Sequence, residues 1–211
     1  MKKLILLMCV VVGSQALAAQ RVIQRGTNSA ATGAATGGSF VKELTDAGFT
    51  DLSVDDLIAF KIHGVNGDYI RSLRKEGLDP TADQIIAMRI HGVTPEYAKD
   101  LKAAGFPDLT IDQLIAGRIH HVTPEDAAEL KKTGLGDPTF DDLVAARIHG
   151  LSSEFVRDLK AAGIDGLTFD QAIAARIHHI TPEFVQKAKD LGLKDLDFDK
   201  IIALKIHNVL D

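Results

Sequence analysis

Tryptophan is absent from this chain, and cysteine occurs once, as Cys9. Cys9 lies in a segment expected to be removed, which leaves no disulfide, no thiolate nucleophile and no cysteine metal ligand. Aromatic residues make up 5% of the chain, so any core must be built from Leu, Ile, Val and Ala. Strand signals are missing as well: β-branched runs are short and never alternate over a useful length. There is no Gly-x-Ser-x-Gly elbow, no His-Glu-x-x-His helix and no phosphate-binding glycine loop. No catalytic, cofactor-binding or metal-ligating set is therefore assigned, and the expectation is a protein that is not an enzyme and carries no cofactor. Basic character is lacking too. The formal net charge is −5, which argues against a general nucleic-acid binder, since such proteins carry a basic patch.

The longest apolar run, Leu4 to Val12, is too short to span a membrane as a helix. With Lys2 and Lys3 before it and Ala16-Leu17-Ala18 after it, it reads as an export signal over residues 1–18, cleaved after Ala18 or Ala19. The competing reading, a lipoprotein signal built on Cys9, is disfavoured by the large Met8 and the early position of the cysteine. Loss of the signal leaves 22 basic against 29 acidic residues, a net charge of −7. The mature chain is expected in the periplasm or outside the cell, without a transmembrane helix. Residues 19–39 are rich in Gly, Ala, Ser and Thr and predict a flexible tether. Residues 40–211 hold everything else.

That remainder is a ladder. Ile-His pairs recur at Ile62-His63, Ile90-His91, Ile119-His120, Ile148-His149, Ile177-His178 and Ile206-His207, with a step of 28 residues once and 29 four times. A cation precedes each pair: Lys61, Arg89, Arg118, Arg147, Arg176 and Lys205. Six copies of one unit predict a repeat architecture. In the third unit, Thr94-Pro95-Glu96 reads as a helix start, with an N-cap hydroxyl, proline at the first helical position and an acid near the positive helix end. Tyr97, Leu101 and Ala104 share one face, and Gly105 stops the helix. Thr110 and Gln113 have capping-box spacing for a second helix, whose apolar stripe is Leu114, Ile115, Ile119 and Val122. One such pair cannot bury its own apolar faces, whereas stacked pairs can. The prediction is all-α, an α-solenoid of about six helix-turn-helix repeats of 28–29 residues. The last unit ends at Val209-Leu210-Asp211 without a polar capping helix, which makes the C-terminal repeat a candidate for self-association.

Three features invite functional readings. The histidine ladder (His63, His91, His120, His149, His178, His207) suggests metal binding, but equivalent residues in adjacent repeats stand about 10 Å apart, whereas zinc ligands lie about 2 Å from one ion. The histidines instead read as helix-terminal groups, or as a pH-responsive seam, since imidazole titrates near neutrality. The cation column is expected to reach carboxylates of the Glu96 or Asp112 type in a neighbouring repeat and so fix the stacking register; the alternative is a cationic stripe for an anionic partner. Asp126 breaks a column that otherwise holds Phe40, Tyr69, Tyr97, Phe155 and Phe184. It is expected to turn outward and leave a softer fourth repeat; the alternative is a local cleft or a specific contact.

Units running from Thr94-Pro95-Glu96 to Arg118-Ile119-His120, and on to Thr181-Pro182-Glu183 and Lys205-Ile206-His207, resemble short helical repeats of bacterial exported proteins. Similar repeats occur in the extracytoplasmic parts of transmembrane metallopeptidases of the beta-lactam-sensor type. The peptidase zinc motif is missing here, so protease activity does not carry over. The resemblance implies an envelope-located repeat module. The functional expectation is an exported, non-enzymatic scaffold that engages a protein or peptide along one face. The alternative is an envelope sensor whose curvature responds to pH or to a partner. A contiguous exposed apolar stripe favours the first, and histidines buried across the seams favour the second.

Overall fold

The computed structural model describes residues 36–194 and 196–210. The expected signal segment with Cys9, and the tether as far as residue 35, lie outside the described residues. Twelve helices follow in order: α1 (Thr36–Asp46), α2 (Val54–Ile62), α3 (Gly67–Lys75), α4 (Ala82–Ile90), α5 (Pro95–Ala103), α6 (Ile111–Ile119), α7 (Pro124–Lys131), α8 (Phe140–His149), α9 (Ser153–Ala161), α10 (Phe169–Ile177), α11 (Pro182–Asp190) and α12 (Phe198–Ile206). They form six pairs, each one repeat, and no strand occurs among the described residues. The fold is an all-α, solenoid-like array. α1 begins at Thr36, so the last four residues of the expected tether belong to a helix. No described helix is long and apolar enough to cross a membrane.

Local chemistry explains the regularity. Five second helices open with a full capping box. Ser53, Thr81, Thr110, Thr139 and Thr168 each accept from the N–H three residues on, and Asp56, Gln84, Gln113, Asp142 and Gln171 reach back to the cap. Each such cap is worth about 1 kcal/mol. Both turns of a repeat need a left-handed residue. After the first helix it is always glycine, as at Gly105 (φ 110°). After the second it is Gly64, Gly92, His121, Gly150, His179 and Asn208, all with positive φ. The doubled histidines thus stand where other repeats use glycine, and His and Asn tolerate that conformation better than most residues do.

Packing alternates between the two layers. First helices insert Leu44, Leu73, Leu101, Leu130 and Leu159, all essentially fully buried. Second helices answer with Ile85, Leu114, Leu143, Ala172 and Ile201. Consecutive first helices pack on one another, as α1 does on α3, and so do consecutive second helices, from α2 through α10. A seam column closes each junction: Val65, Val93, Val122, Leu151 and Ile180 are at most 8% exposed, but its last member, Val209, is 58% exposed.

Cations fasten the layers. From the last turns of the first helices, Arg74 donates to Ala47 O and Lys102 to Glu76 O. Lys160 Nζ donates to Thr133 O at 2.8 Å, and Lys189 Nζ to Ala162 O. Each cation lies in one repeat and its acceptor at the first-helix C-terminus of the preceding repeat. Carbonyls there have no intrahelical partner and carry partial negative charge.

Candidate binding surface

The second helices differ from ordinary surface helices because the side away from the core is also apolar. In α6, Leu114 and Gly117 face inward. At 100° per residue, Asp112, Ile115, Ala116 and Ile119 fall on the opposite side. The same four-residue outer face recurs as Asp55-Ile58-Ala59-Ile62, Asp83-Ile86-Ala87-Ile90, Asp141-Val144-Ala145-Ile148, Asp170-Ile173-Ala174-Ile177 and Asp199-Ile202-Ala203-Ile206. The Ile/Val column is buried or half-buried from the second repeat on, with Ile58 of the first repeat 51% exposed, whereas the last isoleucine of each face is exposed in every repeat. Ile62, Ile90, Ile119, Ile148, Ile177 and Ile206 are 72, 55, 44, 40, 42 and 53% exposed. Ile119, expected inside the apolar stripe of its helix, is therefore part of an outer row. It follows buried Gly117 by two residues, and 200° of rotation carries it to the far side of the helix.

The cation column runs beside this row, and its contacts differ from expectation. Among the described residues, Lys61, Arg89, Arg118, Arg147 and Arg176 form no ion pair with carboxylates of the Glu96 or Asp112 type. Instead five of the six cations, all but Arg147, lie over the aromatic ring that opens their own repeat. Arg89 Cζ is 4.2 Å from the Tyr69 centroid, Arg118 Cζ 4.8 Å from Tyr97 and Arg176 Cζ 4.9 Å from Phe155. Lys61 Nζ lies 4.7 Å from Phe40, and Lys205 Nζ 5.0 Å from Phe184. The negative faces of these rings attract cations. Two arginines then reach back across the seam: Arg89 Nε donates to Gly64 O and Arg176 Nε to His149 O, both at 3.1 Å. Register is fixed through backbone carbonyls.

Beneath two of these arginines lie the only tyrosines of the chain. Tyr69 Oη donates to Val93 O at 2.6 Å and Tyr97 Oη to Val122 O at 3.0 Å. Burial pushes both phenols up to about 12, and the arginine above each pulls the other way more weakly. Gly117 makes room for this arrangement, because a Cβ at that position would meet the Tyr97 hydroxyl and stand 2.7 Å from Phe140 Cζ.

Asp126 does not turn outward. Its Oδ2 accepts from Thr123 N–H at 2.6 Å and from Arg147 Nε at 3.0 Å, with the carboxylate side chain 20% exposed. Arg147 has no ring to lie on, and the carboxylate takes the ring's place. Lys131, in the first-helix cation column, also departs from its column: it pairs with Asp137 at 3.6 Å. The fourth repeat therefore makes neither backward cation–carbonyl contact. Its seam with the third keeps a side-chain bond from Gln113 Nε2 to Asp141 Oδ1 at 3.4 Å and an edge-on Phe106–Phe140 contact at 5.7 Å.

The ladder histidines all end second helices. His63, His91, His120, His178 and His207 are the C-cap residues, and His149 is the last helical residue before Gly150. Their side chains are exposed or half-buried beside the isoleucine row. Among the described residues, no group of three His, Cys, Asp or Glu converges as metal ligands would. A groove of about 420 Å³ does open between two rungs, lined by Ile148, His149, Phe155, Arg176, Ile177 and His179.

Two contributors escaped the sequence reading. The first-helix cations Arg74, Lys102, Lys160 and Lys189 were legible as a column five residues after the aromatic one. The outward direction of the isoleucines was legible in their two-residue offset from the buried column. Comparison with protein-family models and with curated proteins gives no match.

Proposed function

We propose that the array is a non-enzymatic binding scaffold, exported to the periplasm or beyond, whose second-helix layer engages a protein or peptide partner. One observation supports this above others: six isoleucines, one per repeat, remain 40–72% exposed in a continuous row on the side away from the core. Isolated exposed apolar residues are ordinary, but an aligned row of them marks an interaction surface. A repeat array is suited to that use because it presents equivalent side chains at constant spacing. Photo-crosslinking from positions 119 and 148 in envelope extract, followed by mass spectrometry, tests the reading. A reproducible partner crosslinked from these positions, and not from the exposed first-helix position Lys99, is the expected result. Equal labelling from all three sites would remove its main support.

A second reading concerns the C-terminal repeat. Val209 is 58% exposed where every equivalent is covered by a following repeat, and Leu193 is 39% exposed where Leu78 and Ile164 are at most 7%. This apolar end is suited to self-association. Sedimentation velocity across a concentration series is expected to show association that Val209→Asp abolishes. A monomer at every concentration would exclude it.

A further inference from the structure

The isoleucine row does not stand alone, and its neighbours narrow what it can bind. Lys61, Arg89, Arg118 and Arg176 have no carboxylate within ion-pair distance among the described residues. Ring faces and carbonyl oxygens hold these side chains in place without cancelling their charge. A line of positioned cations thus runs alongside a line of exposed isoleucines. Ordering side chains is part of the cost of binding, and here much of it is met before any ligand arrives.

Spacing adds a second constraint. Neighbouring second helices are in direct contact, so successive rungs stand about 8–10 Å apart. An extended chain in the polyproline II conformation rises about 3.1 Å per residue with three residues per turn. It repeats a side-chain direction about every 9 Å, in step with the rungs. A β-strand repeats on one face about every 6.6 Å and drifts out of step. The groove between Ile148 and Ile177, floored by Phe155 and Arg176, is the niche one such side chain would fill.

We infer that the rung row is a docking track for an extended acidic peptide with an apolar side chain at every third residue, its carboxylates facing the Lys61–Arg89–Arg118–Arg176 line. This rests on the scaffold reading above and specifies its partner. An anionic membrane also offers negative charge and apolar depth, but a flat surface would have to meet the exposed Asp83, Asp112, Asp141 and Asp170 at the other ends of the same helix faces. A linear chain touches the rungs alone. In the fourth repeat Asp126 already occupies Arg147, so the track carries its anionic contacts on either side of that rung.

The test uses the mature chain and a fluorescent peptide of about 18 residues, a Pro-Glu-Val repeat long enough for six rungs. Fluorescence anisotropy compares it with a same-composition peptide of shuffled period, a Pro-Lys-Val peptide, a helical peptide with heptad-spaced valines, and phosphatidylglycerol vesicles. Binding of the Pro-Glu-Val peptide, weakened about tenfold or more by Ile148→Ser with Ile177→Ser and by added salt, is expected. Arg118→Gln, at a cation with no carboxylate partner, is a second variant, and an unchanged thermal melt certifies both. The inference is overturned by equal binding of the shuffled or lysine peptides, by preference for the helical peptide or the vesicles, or by no binding of the Pro-Glu-Val peptide. A positive crosslinking result beside any of these would leave the scaffold reading standing with a different partner.

Discussion

The third and fourth repeats share one backbone plan and differ in how they hold their cations. In the third, Tyr97 lies under Arg118 and sends its hydroxyl to Val122 O, while Lys102 reaches back to Glu76 O. In the fourth, Asp126 takes Arg147 as an ion pair, and Lys131 turns to Asp137. The third repeat is tied to its predecessor by a contact the fourth lacks. Both first helices still open on Thr-Pro and share the leucine column, although α7 is eight residues long against nine for α5. Stacking of the core sets the fold, and the cation network tunes how firmly each seam is fastened.

The sharpest way to break the comparison is at Gly117. Elsewhere, replacing a mid-helix glycine with alanine gains about 1 kcal/mol of helix propensity. Here the new Cβ would collide with the Tyr97 hydroxyl and the Phe140 ring, and overpacking of this kind costs about 1–3 kcal/mol. Gly117→Ala is expected to lower the midpoint of urea unfolding, with a net loss of up to about 2 kcal/mol. The fourth repeat already carries alanine in this column, Ala146, where Asp126 replaces the tyrosine. A Gly117→Ala that stabilised by the full propensity gain would mean that Tyr97 moves freely, contrary to the packing described.

Asp126 gives the next largest effect. Asp126→Ala removes the acceptor for Thr123 N–H and for Arg147 together. The pair is partly exposed, so its share is small, and lost capping adds about 1 kcal/mol. The expected cost is about 1–1.5 kcal/mol. Asp126→Phe restores the ring column and is expected to recover part of that cost through stacking with Arg147. If the phenylalanine variant unfolded as readily as the alanine one, the ring and the carboxylate would not be alternative seats for the same cation.

Much of this was readable from the chain. The six-fold period, the capping boxes at Thr110 and Gln113, and the glycine stops follow from local chemistry, which sequence displays directly. The targets of Arg89 and Arg176 were not readable. A carbonyl acceptor leaves no mark on side-chain identity, so the nearby acid columns looked like the natural partners. For Asp126 a specific contact was readable as an alternative, but its partner Arg147 was not, for a related reason. An acid in an aromatic column suggests exposure unless one asks what the displaced ring had been supporting. The outer isoleucines were hidden by a habit that reads every apolar residue on a helix as core. In these second helices both sides are apolar, and only the angular offset from Leu114 and Gly117 separates them.

The smallest effect is the most selective. Tyr69 and Tyr97 are the chain's only tyrosines, so tyrosinate absorbance reports the ring–arginine stack and nothing else. Burial raises both phenols from 10.0 to about 12, despite the opposing arginines. In the unfolded chain they return to about 10. The folded state thus holds protons that the unfolded state has released between these values, and linkage makes stability fall as pH rises through that window. Below pH of about 10 the contribution is complete, and it is lost as pH passes about 12. Native protein is expected to ionise its tyrosines late, with absorbance jumping on unfolding at any pH between the two limits. Tyr97→Phe should halve that jump and cost about 1 kcal/mol for the lost bond to Val122 O, while leaving Arg118 on its ring. Titration of native tyrosines near the free value would mean that the stack is open to solvent, and that the third repeat holds its cation no more firmly than the fourth.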